Sequence, residues 1–191
     1  MAAQWPQYLT NAFLSANVSK NILRQQSAYY GPYIRLLYHL FGIEGPFEIT
    51  VQFDVPDEVL YDMPDVVATF TVEFNKHPVL FIQPSPHWSF DLHSQRKRAE
   101  NQIVTQVGDM KEDLVTPRLH AISAFGTHLA FYEYTAATNI LTPPRIAADP
   151  ILLNELAPAD RWGFDVLEAD GIARIHQVAQ DVRAMCEALG N

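Results

Sequence analysis

The sequence has one cysteine, Cys186, among 191 residues, so it contains neither an intrachain disulfide framework nor a four-thiolate metal site. Positive charge is also scarce: 13 Lys and Arg stand against 22 Asp and Glu, a formal charge of -9, which excludes coating of nucleic acid or anionic membrane by charge alone. Charged residues of both signs reach only 18%, while 48% are hydrophobic and 12% aromatic, the composition of a chain with a packed core rather than of a disordered one. No uninterrupted apolar run approaches the length of about 20 needed to span a bilayer. The first basic residue is Lys20, so no basic n-region opens the chain. The expectation is an intracellular protein, cytoplasmic or nuclear, without membrane association. Repeats, low-complexity tracts and Gly/Ser linkers are likewise missing, which predicts one domain over residues 1–191.

Several helices and strands can be read from the sequence. Residues 1–42 read as helices interrupted at Gly31-Pro32, the second carrying the stripe Tyr33, Leu36, Leu37, Leu40 and Phe41 and closing at Gly42. Residues 47–135 read as the sheet core. Phe47–Asp54, Val66–Phe74 and Pro78–Gln83 have strand character, with Asn75-Lys76-His77 as a hairpin loop. Val79 to Ile82 is apolar throughout, as a strand buried on both faces is. A charged helix follows over Asp91 to about Met110, with Leu92, Ala99, Ile103 and Val107 toward the sheet, Gln95 to Arg98 outward and Asp91 as a cap. Arg118–Phe125 and His128–Tyr134 form a hairpin through Gly126-Thr127. Residues 136–169, rich in proline, wrap the surface and are anchored by Trp162, Phe164 and Leu167, and residues 170–190 form the last helix. The expected class is α/β (α+β), with a central mixed five-stranded sheet flanked by helices.

Pro64-Asp65 heads the second strand, and Gln83-Pro84-Ser85 follows eighteen positions after Asp65 at the end of the third. With the order of helix, three-strand meander, helix, two strands and helix, these residues resemble the PD-(D/E)XK, or restriction endonuclease-like, superfamily, with Gln83-Pro84-Ser85 where that superfamily carries (D/E)-x-K. Between about Gly31 and Leu167 the chain is also similar to a group of small nuclease-like proteins of mushroom-forming fungi. That likeness runs through Ala121-Ile122-Ser123-Ala124-Phe125-Gly126-Thr127, Thr142-Pro143-Pro144 and Ala157-Pro158-Ala159-Asp160-Arg161-Trp162. Where that group has a Glu-x-Lys-Pro-Pro-like sequence, this chain has Gln83-Pro84-Ser85-Pro86-His87.

The resemblance implies Mg²⁺ or Mn²⁺ held by Asp65 and Gln83, with Gln83 supplying a neutral amide oxygen where a carboxylate is usual. The candidate catalytic set is Asp65, Gln83, Ser85, Lys97 and Gln102. Ser85 cannot supply the fixed positive charge of the missing lysine, so a cation from Arg96, Lys97 or Arg98 is the expected substitute and also the candidate contact for a nucleic acid partner; a protein partner is the other expectation. Gln102 and Gln106 lie one helical turn apart on one face. Glu73 shares a strand with Asp65 but stands roughly 26 Å away at about 3.3 Å per residue. The resulting expectation is a binding module with a degenerate nuclease site; a rewired metal-dependent phosphodiesterase and a small-molecule pocket under Pro84 to Phe90 are the other two readings.

Further constellations have ordinary explanations beside the chemical ones. Ser85 with His87, Asp91 and His93 has the makings of a triad or a two-His-one-carboxylate site, but also of a polar loop and helix start. His120 and His128 flank the last hairpin. Tyr29, Tyr30 and Tyr33 offer a base-stacking platform or, more simply, aromatic anchors. Cys186 falls on the apolar face of the last helix, the place of a buried thiol. Glu44, Glu48, Asp54, Asp57, Glu58, Asp62, Asp65 and Glu73 form an acidic interval without a single Lys or Arg.

Overall fold

The structure is a computed structural model that describes residues 4–18, 26–54, 67–146 and 157–190. Its α-helices are α1 (Gln7–Val18), α2 (Tyr30–Phe41), α3 (His93–Met110) and α4 (Ala169–Leu189). The strands are β1 (Phe47–Asp54), β2 (Val67–Phe74), β3 (His77–Ser85), β4 (Arg118–Phe125), β5 (His128–Thr135), β6 (Ile140–Thr142) and β7 (Phe164–Asp165). They form a single seven-stranded sheet in the order β1-β2-β3-β4-β5-β6, with β7 also on β5. Only β3 and β4 pair in parallel, joined across one face by α3; the other neighbours are antiparallel.

The mixed α and β class is as expected, but the sheet has seven strands and not five. Both additional strands lie in the stretch expected only to wrap the surface, and they are three and two residues long. Segments that short have no room for alternation, so no period could signal them.

The two faces of the sheet are packed separately. Leu80 and Ile82 of β3 join Phe70, Val72, Ile122 and Ala124 against α1, α2 and α4, whereas Phe81 joins Ala121, Phe125 and Tyr132 against α3. The continuous apolar run of β3 is therefore explained by layers on both sides. Tyr29 and Tyr33 are anchors: both are fully buried, and their hydroxyls donate to Asn17 Oδ1 at 2.7 Å and to the Gly126 carbonyl at 2.7 Å. Trp162 ties down the wrap, fully buried and with its Nε1 donating to Ser123 Oγ at 3.1 Å. In α4, Ile172, Ile175, Val178, Val182 and Met185 are buried, and burial pushes the Cys186 thiol up to about 11.

The face assigned to α3 needs correction. Arg96 and Lys97 do not face outward but are both 3% exposed, while Leu92, expected against the sheet, is 44% exposed. The helix is preceded by a 3₁₀ turn over His87–Asp91, and Leu92 occupies the N-cap position without a side-chain cap, so Asp91 does not have the capping role.

Gly171, in the first turn of α4, shows how closely that helix meets β7. A Cβ there would stand 1.9 Å from the Asp165 carbonyl oxygen, a backbone atom that cannot swing away. Gly171→Ala is expected to cost about 2 kcal/mol or more in urea unfolding, near the upper range for overpacking. A cost below about 0.5 kcal/mol would show that α4 is seated differently.

Candidate functional site

The sheet face toward α3 changes character from one side to the other. Under the middle of the helix, Ala99, Ile103 and Val107 cover β3 to β5. Toward β1 and β2 the same face becomes polar, because the alternation that sends Phe70 and Val72 to the opposite core leaves Thr69 and Thr71 here. The helix does not close over this region. A groove follows α3 instead, with one cavity of about 290 Å³ lined by Val67, Gln83, Arg98, Gln102, Thr105, Gln106 and Asp109. An adjoining cavity of about 490 Å³ shares Gln106 and Asp109 and extends past Gln52 and Phe53 to Asp113.

Gln83 forms the floor. Only 4% exposed, it donates from Nε2 to Thr69 Oγ1 at 3.0 Å, while its Oε1 has no hydrogen-bond partner among the described residues. Whichever way the amide is turned, one polar end has no hydrogen-bond partner among the described residues. A buried, unsatisfied amide costs on the order of 1–3 kcal/mol, and its position at the edge of a cavity gives it a chemical outlet.

Of the candidate catalytic and metal residues, the structure brings Gln83 and Gln102 together in the groove, along with Gln106 and Arg98. Asp65, the principal metal candidate, lies outside the described residues. Ser85 is half-buried at the end of β3, is not a groove-lining residue, and its carbonyl accepts from the Gly126 N–H at 3.2 Å. Lys97 is turned away from Gln83: its Nζ lies 3.3 Å from Glu100 Oε2 and donates to the Ile146 carbonyl at 2.5 Å. Arg96 donates to the carbonyls of Ala157, at 2.7 Å, and Phe90, and to His93 Nδ1 at 2.7 Å. The basic cluster is thus divided by the helical turn, and Arg98 alone of the three lines the groove. Arg96 and Lys97 are not available as a joint phosphate contact, because they are internal struts.

The remaining constellations resolve into structural contacts. Ser89 Oγ donates to the Pro86 carbonyl at 2.7 Å, His93 receives Arg96, and His87 stacks on His128 with centroids 5.6 Å apart. His128 also stacks on Phe90 at 4.5 Å, and burial lowers its pKa. Trp88 is 46% exposed. His120 and His128 do not meet: the register sets His120 opposite Glu133 and His128 opposite Phe125, roughly 16 Å along the strand at about 3.3 Å per residue.

Sequence reasoning missed two features. One is Asp109, which brings a carboxylate to the same groove as Gln83 and Gln102; it belongs to the face that Gln102 and Gln106 already mark. The other is on the opposite face, where His120, Glu133 and Asp181 place ligand atoms within 4.8 Å of one another, a group that can hold a metal ion. His120 Nε2 is 2.6 Å from Asp181 Oδ2 and its Nδ1 3.9 Å from Glu133 Oε2. Burial lowers the His120 pKa, against the raising effect of the two carboxylates. The hairpin turn at Gly126-Thr127 implies the pairing of His120 with Glu133, but nothing in the spacing signals Asp181.

Comparisons of the chain with protein families, curated proteins and solved structures give no match.

The buried Lys97–Glu100 pair carries a stability prediction. Glu100 is fully buried, receives the Ile146 N–H at 3.1 Å and has Arg161 at 3.8 Å. Lys97→Met is expected to destabilise by about 3 kcal/mol in urea unfolding, because it strands a buried charge. Adding Glu100→Leu should recover a large part of that loss. A double variant no more stable than the single would contradict the pairing.

Proposed function

We propose that this domain is a binding module on a nuclease-like scaffold, holding a polar segment of a protein partner in the groove along α3 rather than cleaving nucleic acid. The observation that carries the reading is Gln83: a buried neutral amide with one end unpartnered among the described residues, at the position where the PD-(D/E)XK pattern calls for a metal-binding carboxylate. A neutral ligand takes one negative charge from a Mg²⁺ shell, and Mg²⁺ sheds water reluctantly. The meander β1–β2–β3 followed by α3 and parallel β4 supports the scaffold assignment. Gln83, Gln102 and Gln106 present donors and acceptors suited to peptide amides. Arg98 is the only base among the described groove residues and stands against Asp109 and Asp113, a balance that disfavours a phosphate backbone.

A second reading, a metal-dependent phosphodiesterase, draws on one observation: Asp109 adds a carboxylate to the Gln83 groove. With Asp65 it would give Mg²⁺ or Mn²⁺ two anionic ligands beside the Gln83 amide.

The deciding test incubates plasmid DNA, single-stranded DNA and RNA with Mn²⁺ or Mg²⁺ and compares the protein with an identically purified Asp65→Ala variant. The expected result is no cleavage that depends on Asp65 and no gel retardation at low salt. Cleavage lost in the variant would overturn the binding reading in favour of the enzyme; retardation lost in Arg98→Glu would replace the protein partner with nucleic acid.

A further inference from the structure

The polar group on the other face of the sheet is a site in its own right. Arg118 and His120 come from β4, Glu133 from β5 and Asp181 from α4, so the group joins the last hairpin to the last helix across a packed interface. His120 is buried, with its side chain 4% exposed, while Glu133 and Asp181 remain 33% and 30% exposed, which gives the group a dry side and an open side.

Its contacts are incompletely satisfied as they stand. Arg118 binds Asp181 Oδ1, but its Nε is buried and has no hydrogen-bond partner among the described residues. Glu133 Oε2 approaches Arg118 Nε only to 4.0 Å and His120 Nδ1 only to 3.9 Å. With a neutral imidazole, two carboxylates and one guanidinium leave a net charge of −1 among groups that converge from three elements.

We propose that His120, Glu133 and Asp181 form a zinc site, with Arg118 as the positioning residue that holds Asp181 through its other carboxylate oxygen. Tetrahedral bonds of about 2.0 Å place ligand atoms about 3.3 Å apart. His120 Nε2 is 2.6 Å from Asp181 Oδ2, and one ligand atom from each of the three residues lies within 4.8 Å of the others, so an ion at a single imidazole nitrogen requires Asp181 to draw back and Glu133 to close in by side-chain adjustment. One imidazole with two carboxylates is a donor set for zinc rather than for Mg²⁺, which takes oxygen ligands in an octahedron. The Arg118 contact to Asp181 Oδ1 leaves Oδ2 directed at His120, the role that outer-shell partners have in orienting ligating carboxylates. The open side leaves the fourth position to water, and a bound ion would tie α4 to the β4–β5 hairpin. The groove lies on the opposite face of the sheet, so the two sites are separate.

The test uses the full chain, stripped of metal with a chelator and then titrated with Zn²⁺ by calorimetry, with Co²⁺ absorption reporting the ligand set. One equivalent of Zn²⁺ is expected per chain, with a rise in melting temperature and a tetrahedral Co²⁺ spectrum. Glu133→Gln, at a partly exposed position that should leave the fold intact, is expected to weaken binding by more than the roughly 10-fold to 100-fold that loss of an outer-shell partner costs, since Glu133 is a direct ligand. His120→Ala should abolish binding, with circular dichroism checking its fold. No stoichiometric binding, or binding unchanged in Glu133→Gln, would overturn the proposal and leave the group as an ion-pair network.

Discussion

The rotation of α3 about its own axis is set by the buried contacts of Arg96, Lys97 and Glu100, and the character of the candidate groove depends on it. Glu100 is fully buried against Lys97, the Ile146 N–H and Arg161, while Arg96 reaches the carbonyls of Phe90 and Ala157. Buried charges tolerate little misalignment, because each lost partner leaves a desolvated ion. With those three side chains fixed on one side, the 3.6-residue period turns Arg98, Gln102, Gln106 and Asp109 toward β1 and β2. The polar groove and the internal ion pair are two faces of the same helix.

The same constraint takes two cations out of reach of the groove. A basic triplet on an exposed helix would be a phosphate clamp in waiting. Instead, two of its three members are engaged with backbone carbonyls, and the third lines a groove that also contains carboxylates. At the floor, Gln83 offers hydrogen bonding without charge, which suits recognition better than hydrolysis. The second site, around His120, is built from the opposite sheet face and from a different helix. One sheet thus supports two independent polar sites because each strand directs alternate residues to opposite layers.

Much of the sheet was legible because its strands are long and strongly patterned. Phe47–Asp54 and Arg118–Phe125 have the boundaries expected of them, and the apolar run in β3 is buried on both faces. Strands β6 and β7 were not legible, being too short for any period. The orientation of Arg96 and Lys97 was misread for a different reason. Charge predicts exposure unless partners exist, and theirs at Ile146 and Ala157 lie 49 and 61 residues away in sequence. The shared face of Gln102 and Gln106 was visible from spacing alone, whereas Gln83 as their floor required the fold. Asp181 reaches His120 from 61 residues away, and no local signal announces such a contact.

The central claim is that Gln83 occupies the place of a metal-binding carboxylate and, by its neutrality, makes the groove a binding site instead of a catalytic one. The most direct test restores the charge pattern: Gln83→Glu with Ser85→Lys, titrated with Mg²⁺ by calorimetry beside the parent protein and beside the same double variant carrying Asp65→Ala. The account predicts Mg²⁺ binding gained in the double variant, absent from the parent and lost again without Asp65. A double variant that folds yet binds Mg²⁺ no better than the parent would contradict it.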